Sequence, residues 1–99
     1  MKSFFQIGLA LLLLPAGSAF AYTGEKLASE AKLTMADAQK IALKARPGKI
    51  SDKELEREKG GSGLRYSFDI KAKGVTYEVG VDAADGKVLE NAKEGPHPD

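Results

Sequence analysis

Residues 65–90 read RYSFDIKAKGVTYEVGVDAADGKVLE. Apolar and polar residues alternate, break at Gly74 and alternate again. Successive side chains of a β-strand point to opposite faces, so a period of two marks strands, and a break at glycine marks a hairpin. Leu64, Tyr66, Phe68, Ile70 and Ala72 point one way, and Arg65, Ser67, Asp69, Lys71 and Lys73 the other. After the turn, Val75, Tyr77, Val79 and Val81 join the apolar set, with Thr76, Glu78, Gly80 and Asp82 opposite. Asp85-Gly86 marks a second tight turn, and Val88-Leu89 can add a short final strand. An antiparallel sheet of this kind has one face to bury and one to leave in water.

The cover for that face must come from upstream. In LTMADAQKIALKARPGK, Thr34 is a good N-cap and Asp37 stands at the capping-box position. Met35, Ala38, Ile41, Ala42 and Ala45 fall on one helical face. Pro47-Gly48 stops the helix, because proline disfavours helical geometry at the residue before it. Residues 49–59, from Lys49 to Lys59, carry only Ile50 and Leu55 as large apolar groups. A helix there would have almost no face to bury, so the segment reads as a charged edge strand, with helix as the alternative. Gly60-Gly61-Ser62-Gly63 reads as a flexible connection. The expected fold is α+β: one N-terminal helix packed on a three- to four-stranded antiparallel β-meander.

The ends of the 99-residue chain look different from its middle. Lys2, an apolar run from Phe4 to Leu14, and Ala19-Phe20-Ala21 have the form of a secretory signal, residues 1–21, cut between Ala21 and Tyr22. That predicts a periplasmic or secreted bacterial protein, not integral to the membrane after cleavage. Residues 22–32 read as a flexible leader and residues 91–99 as a disordered tail. Lys2 is the one charged residue of the signal, so the remainder carries as many basic as acidic residues. A neutral domain is a poor match for nucleic acid, which is held through phosphate neutralisation. The chain has no Cys, so no disulfide supports it. So small a core makes a partner, or a weak homodimer, a plausible source of further burial.

Catalytic chemistry is hard to assemble from these residues. His97, the one histidine, sits between two prolines near the C-terminus, where nothing holds it as a general base. It also lacks the companion ligands a zinc site needs. The run Asp82 to Gly86 has the wrong spacing for a calcium loop. The glycines of residues 60–63 lead into a strand, not into a helix whose N-terminus could hold a phosphate. The carboxylates are scattered among lysines, and no acid/base pair stands out. The expectation is a protein with no catalytic residues, no cofactor and no metal.

The Thr-capped helix ending in Ala45-Arg46-Pro47-Gly48, the charged LEREKG, and LRYSFDIKAKGVTYEVGVDAADGKVL together resemble the PepSY domain. That domain occurs in propeptides of thermolysin-type metallopeptidases and in many exported bacterial proteins. The resemblance covers residues 33–90, and VGVDAADGKVLE is its most specific part. It implies a non-catalytic module that binds and restrains an exported peptidase. The alternatives are an extracytoplasmic partner of a membrane sensor or redox protein, and a weak metal or small-ligand binder. Contact with a partner is expected through the polar sheet face (Arg65, Ser67, Asp69, Thr76, Glu78, Asp82) or by strand addition at the Val88-Leu89 edge.

Overall fold

A computed structural model describes residues 21–95. The expected signal segment up to Phe20, with Ala19, and the tail residue His97 lie outside the described residues. A 3₁₀ segment, Glu25–Glu30, precedes helix α1, Met35–Ala45. Four strands follow: β1 Lys49–Arg57, β2 Leu64–Ala72, β3 Val75–Asp82 and β4 Val88–Lys93. They form one antiparallel sheet in the order β1-β2-β3-β4. The expected α+β meander is therefore present, with all four strands.

Each element forms where its local chemistry directs. The Thr34 hydroxyl accepts the Asp37 amide at 3.1 Å, satisfying one of the free N–H groups at the start of α1. Met35, Ala38 and Ala42 are the buried residues of that helix. They lie on Leu55, Tyr66, Phe68, Ile70, Val79 and Val81, all at 1% exposure or less. The β2–β3 hairpin closes through Lys73-Gly74, both with positive φ (53° and 79°), as a two-residue type I′ turn requires. Gly48 does more than end the helix. A Cβ there would lie 2.5 Å from the Lys71 carbonyl oxygen and 2.7 Å from Ile70, so only glycine lets the chain cross β2 this closely.

Residues 49–59 are a strand at the sheet edge, as their sparse apolar content implies, ending at Arg57. Leu55 is its buried residue. Opposite it, the Tyr66 hydroxyl donates to the Leu33 carbonyl at 2.7 Å, tying the helix entry to β2. Burial first, then Tyr22 and Asp37 nearby, push the Tyr66 pKa up to about 12, so it remains a donor.

The ends depart from expectation. Residues 22–32 are not a free leader. Thr23 bridges Glu54 in parallel register, and its carbonyl accepts the Leu55 amide at 2.9 Å. Tyr22, Leu27 and Ala31 pack against the core. Three apolar groups at irregular spacing are enough to dock a short segment, though they form no recognisable stripe. At the other end β4 runs to Lys93, so residues 91–93 are strand and not tail. Backbone pairing to β3 holds them where side-chain patterning gives no signal.

Candidate interaction surface

The side of the sheet away from α1 is built from alternate residues of all four strands. β1 contributes Asp52, Glu54 and Glu56, paired with Asp69, Ser67 and Arg65 of β2. Those three pair in turn with Glu78, Gly80 and Asp82 of β3. β4 adds Glu90 beside Gly80 and Ala92 beside Glu78. The resulting face is strongly acidic, and Arg65, Lys71 and Lys49 are its cations, the two lysines lying toward the 72–75 hairpin.

This face is less open than its polarity implies. Arg65, Ser67 and Asp82, expected to meet a partner, are buried at 7%, 5% and 2% exposure. Arg65 lies flat across Gly80, within reach because glycine has no side chain to obstruct it. Its guanidinium donates to the Lys59 carbonyl at 3.0 Å and faces Glu58 at 3.7 Å and Glu90 at 3.5 Å. Its Nε is buried and has no hydrogen-bond partner among the described residues. The Ser67 hydroxyl donates to Glu56 at 2.8 Å.

Asp82 is a structural clamp. Its carboxylate accepts the Ser62 amide at 2.7 Å, the Ser62 hydroxyl at 2.6 Å and the Ala84 amide at 2.8 Å. The 60–63 connection is therefore fixed onto the sheet, not flexible. Burial raises the cost of ionising Asp82, but the Ser62 hydroxyl and the amides of Ala84, Ser62 and Asp85 outweigh it and hold the carboxyl below its usual value.

The remaining candidates keep some exposure to solvent. Asp69, Thr76 and Glu78 are half-buried on the outward face, and Leu89 is half-buried beside Gly61. Among the described residues Val88 is the exposed large apolar residue, at 38%. A register shift at Gly80/Val81 bulges the start of β4. At the expected cleavage position Ala21 is exposed, and the Tyr22 amide donates to Glu25 at 3.2 Å.

Sequence reasoning missed Asp52, Glu54, Glu56 and Glu90 as members of this surface. The signal was present: acids recur at every second position from Asp52 to Glu58. Its meaning depends on strand pairing, which stacks these acids beside Asp69, Glu78 and Glu90. The crowding is felt electrostatically. Burial, then Glu56, Asp52, Asp69 and Glu58, raise the Glu54 pKa. Burial, then Glu90, Asp69, Glu94 and Glu56, raise that of Glu78. Cations lie on the helix side, including Arg46 stacked 3.8 Å over the Tyr77 ring and Lys53 bonded to Gln39 at 3.0 Å. A chain of balanced composition thus folds into a domain with an acidic side.

Among the described residues no group of three or more His, Cys, Asp or Glu side chains is arranged to hold a metal ion. None of the described helices is long and apolar enough to cross a membrane. Comparison with curated proteins and with solved structures gives no match. The family model described as the peptidase propeptide and YPEB domain, PepSY, matches residues 32–91. That span runs from the entry of α1 into β4 and takes in the helix, the first three strands and most of the fourth; the chain belongs to the PepSY domain family.

Proposed function

We propose that this protein is an exported, non-catalytic module that binds an extracytoplasmic peptidase and restrains it. The observation that carries the reading is the match of residues 32–91 to a family described by its occurrence in peptidase propeptides. The site fits that role. On the outward face the Ser67 hydroxyl donates to Glu56, Ser62 donates to Asp82 and Arg65 donates to the Lys59 carbonyl, bonds that hold the strands and the 60–63 connection together. Such a surface can recognise a protein by charge and by backbone pairing without reacting with it.

Export in this reading follows from the signal-like residues 1–21, with release between Ala21 and Tyr22. The test is direct. Purified protein is added to the secreted and periplasmic peptidases of its host, and substrate cleavage is followed. Dose-dependent loss of one activity is expected. Unchanged cleavage at saturating protein, together with no peptidase recovered on the immobilised protein, overturns the reading.

A further inference from the structure

The two edges of the sheet are not equivalent. β1 is occupied at Leu55, whose amide is bonded to the Thr23 carbonyl. No strand lies beyond β4 among the described residues. The Glu94 amide donates inward to the Thr76 carbonyl at 2.9 Å. Alternation along an antiparallel strand therefore turns the N–H and C=O groups of Asn91 and Lys93 outward, toward the open side. The bulge lies before this stretch, so the run from Glu90 to Lys93 is regular.

The charge around that edge is as specific as its geometry. Ala92 lies beside Glu78 on the outward face, with Glu90 next along β4. A side chain arriving opposite Ala92 meets a methyl group, not bulk, and passes over it toward the Glu78 carboxylate. A base at that position relieves like-charge crowding instead of adding to it.

We propose that the open edge of β4 receives an extended peptide segment with lysine or arginine at alternate positions, its bases lying on the acidic face beside Glu78 and Glu90. The inference rests on the module's binding a protein and names the chemistry of the segment bound. A second copy of this chain is a poorer occupant, because pairing β4 with itself brings Glu90 and its acidic neighbours together.

Synthetic capped heptapeptides test this. Alternating Lys and Val is the probe. Alternating Glu and Val, the same Lys/Val composition in blocks, and the alternating Lys peptide N-methylated at every second amide are the controls. Amide NMR on the purified protein should show the Lys/Val peptide shifting Asn91 and Lys93 first. Its affinity should fall about tenfold as salt rises from about 0.05 to about 0.5 M, since these charges are exposed to screening. Methylation on the pairing edge should abolish binding without any change to the protein. Glu78→Lys should weaken binding about tenfold through repulsion, and Lys93→Pro, which removes an outward N–H, should weaken it as well. Equal binding by the Glu/Val or block peptides, shifts confined to other surfaces, or a concentration-dependent dimer sensitive to Lys93→Pro overturns the proposal. Peptide binding without peptidase restraint overturns the proposed function and supports the edge. Peptidase restraint that persists in Glu78→Lys and Lys93→Pro overturns the edge and supports the function.

Discussion

The carboxylate of Asp82 holds Ser62 at both ends, accepting its backbone amide at 2.7 Å and its hydroxyl at 2.6 Å. Two residues twenty apart in sequence thereby fix the β1–β2 connection to the end of β3. Gly61, with φ 55°, makes this approach feasible, because a Cβ there would collide with the same carboxylate.

That clamp is pH-dependent, and its sign follows from the lowered pKa. The native state favours ionised Asp82, so its contribution is fully present above the unfolded-state value near 3.8 and is lost as pH falls through the folded value. Asp82→Ala should cost about 2–3 kcal/mol at pH 7, the range for a buried charge-assisted hydrogen-bond set. Urea titrations at pH 7 and pH 3 check it. The cost should shrink at the lower pH, and an equal cost at both would show that packing alone is responsible.

The acidic face works in the opposite direction. Glu54 and Glu78 have raised pKa values, so the stability they contribute is present below their usual value of 4.5 and is lost as pH rises through the folded one. Glu54→Gln or Glu78→Gln should therefore raise the urea midpoint at pH 7 and leave it unchanged at pH 3. A loss of stability at pH 7 would mean the carboxylates hold favourable contacts that outweigh their repulsion.

Leu55 and Gly24 separate core from leader. Leu55, at 1% exposure, is the buried residue of β1, and truncation to alanine should cost about 2–5 kcal/mol. Gly24 has φ 87°, and a Cβ there would run into the Leu55 carbonyl. Gly24→Ala should lift residues 22–24 off the edge, with faster hydrogen exchange at the Leu55 amide and a smaller loss of global stability than Leu55→Ala. Exchange at Leu55 unchanged from the parent would show that the leader does not protect it.

Lys73 stands at φ 53°, in the left-handed region that lysine adopts at a cost. Asparagine tolerates it better and is favoured in a type I′ turn. Lys73→Asn should stabilise the protein by about 0.5–1 kcal/mol, read as a higher thermal midpoint. A lower midpoint would mean that the lysine chain contributes packing its exposure conceals.

Much of the fold is legible in the amino-acid sequence. The helix from Met35 to Ala45 and the hairpin of β2 and β3 are marked by periodicity, a cap and a turn, which are local along the chain. Edge strand β1 is legible by elimination, since its two apolar residues could not support a helix. The docked leader and the extension of β4 are not legible: the side chains that help hold them (Tyr22, Leu27 and Ala31 on the core, Asn91 bonded to Ala45 and Arg46) follow no period, and the rest is backbone bonding, Thr23 to Leu55 and Glu94 to Thr76. Such bonds depend on which strands become neighbours and leave no mark on side-chain pattern.

The candidate surface divides in the same way. Alternation alone assigns Asp69, Thr76 and Glu78 to the outward face. It cannot tell that Arg65 and Asp82 are consumed there by Glu58, Glu90, Lys59 and Ser62. Period two determines which side of a strand a residue occupies. Only the tertiary register decides which residues share that side, and so brings acids from four strands into one face on a chain with nearly balanced charge.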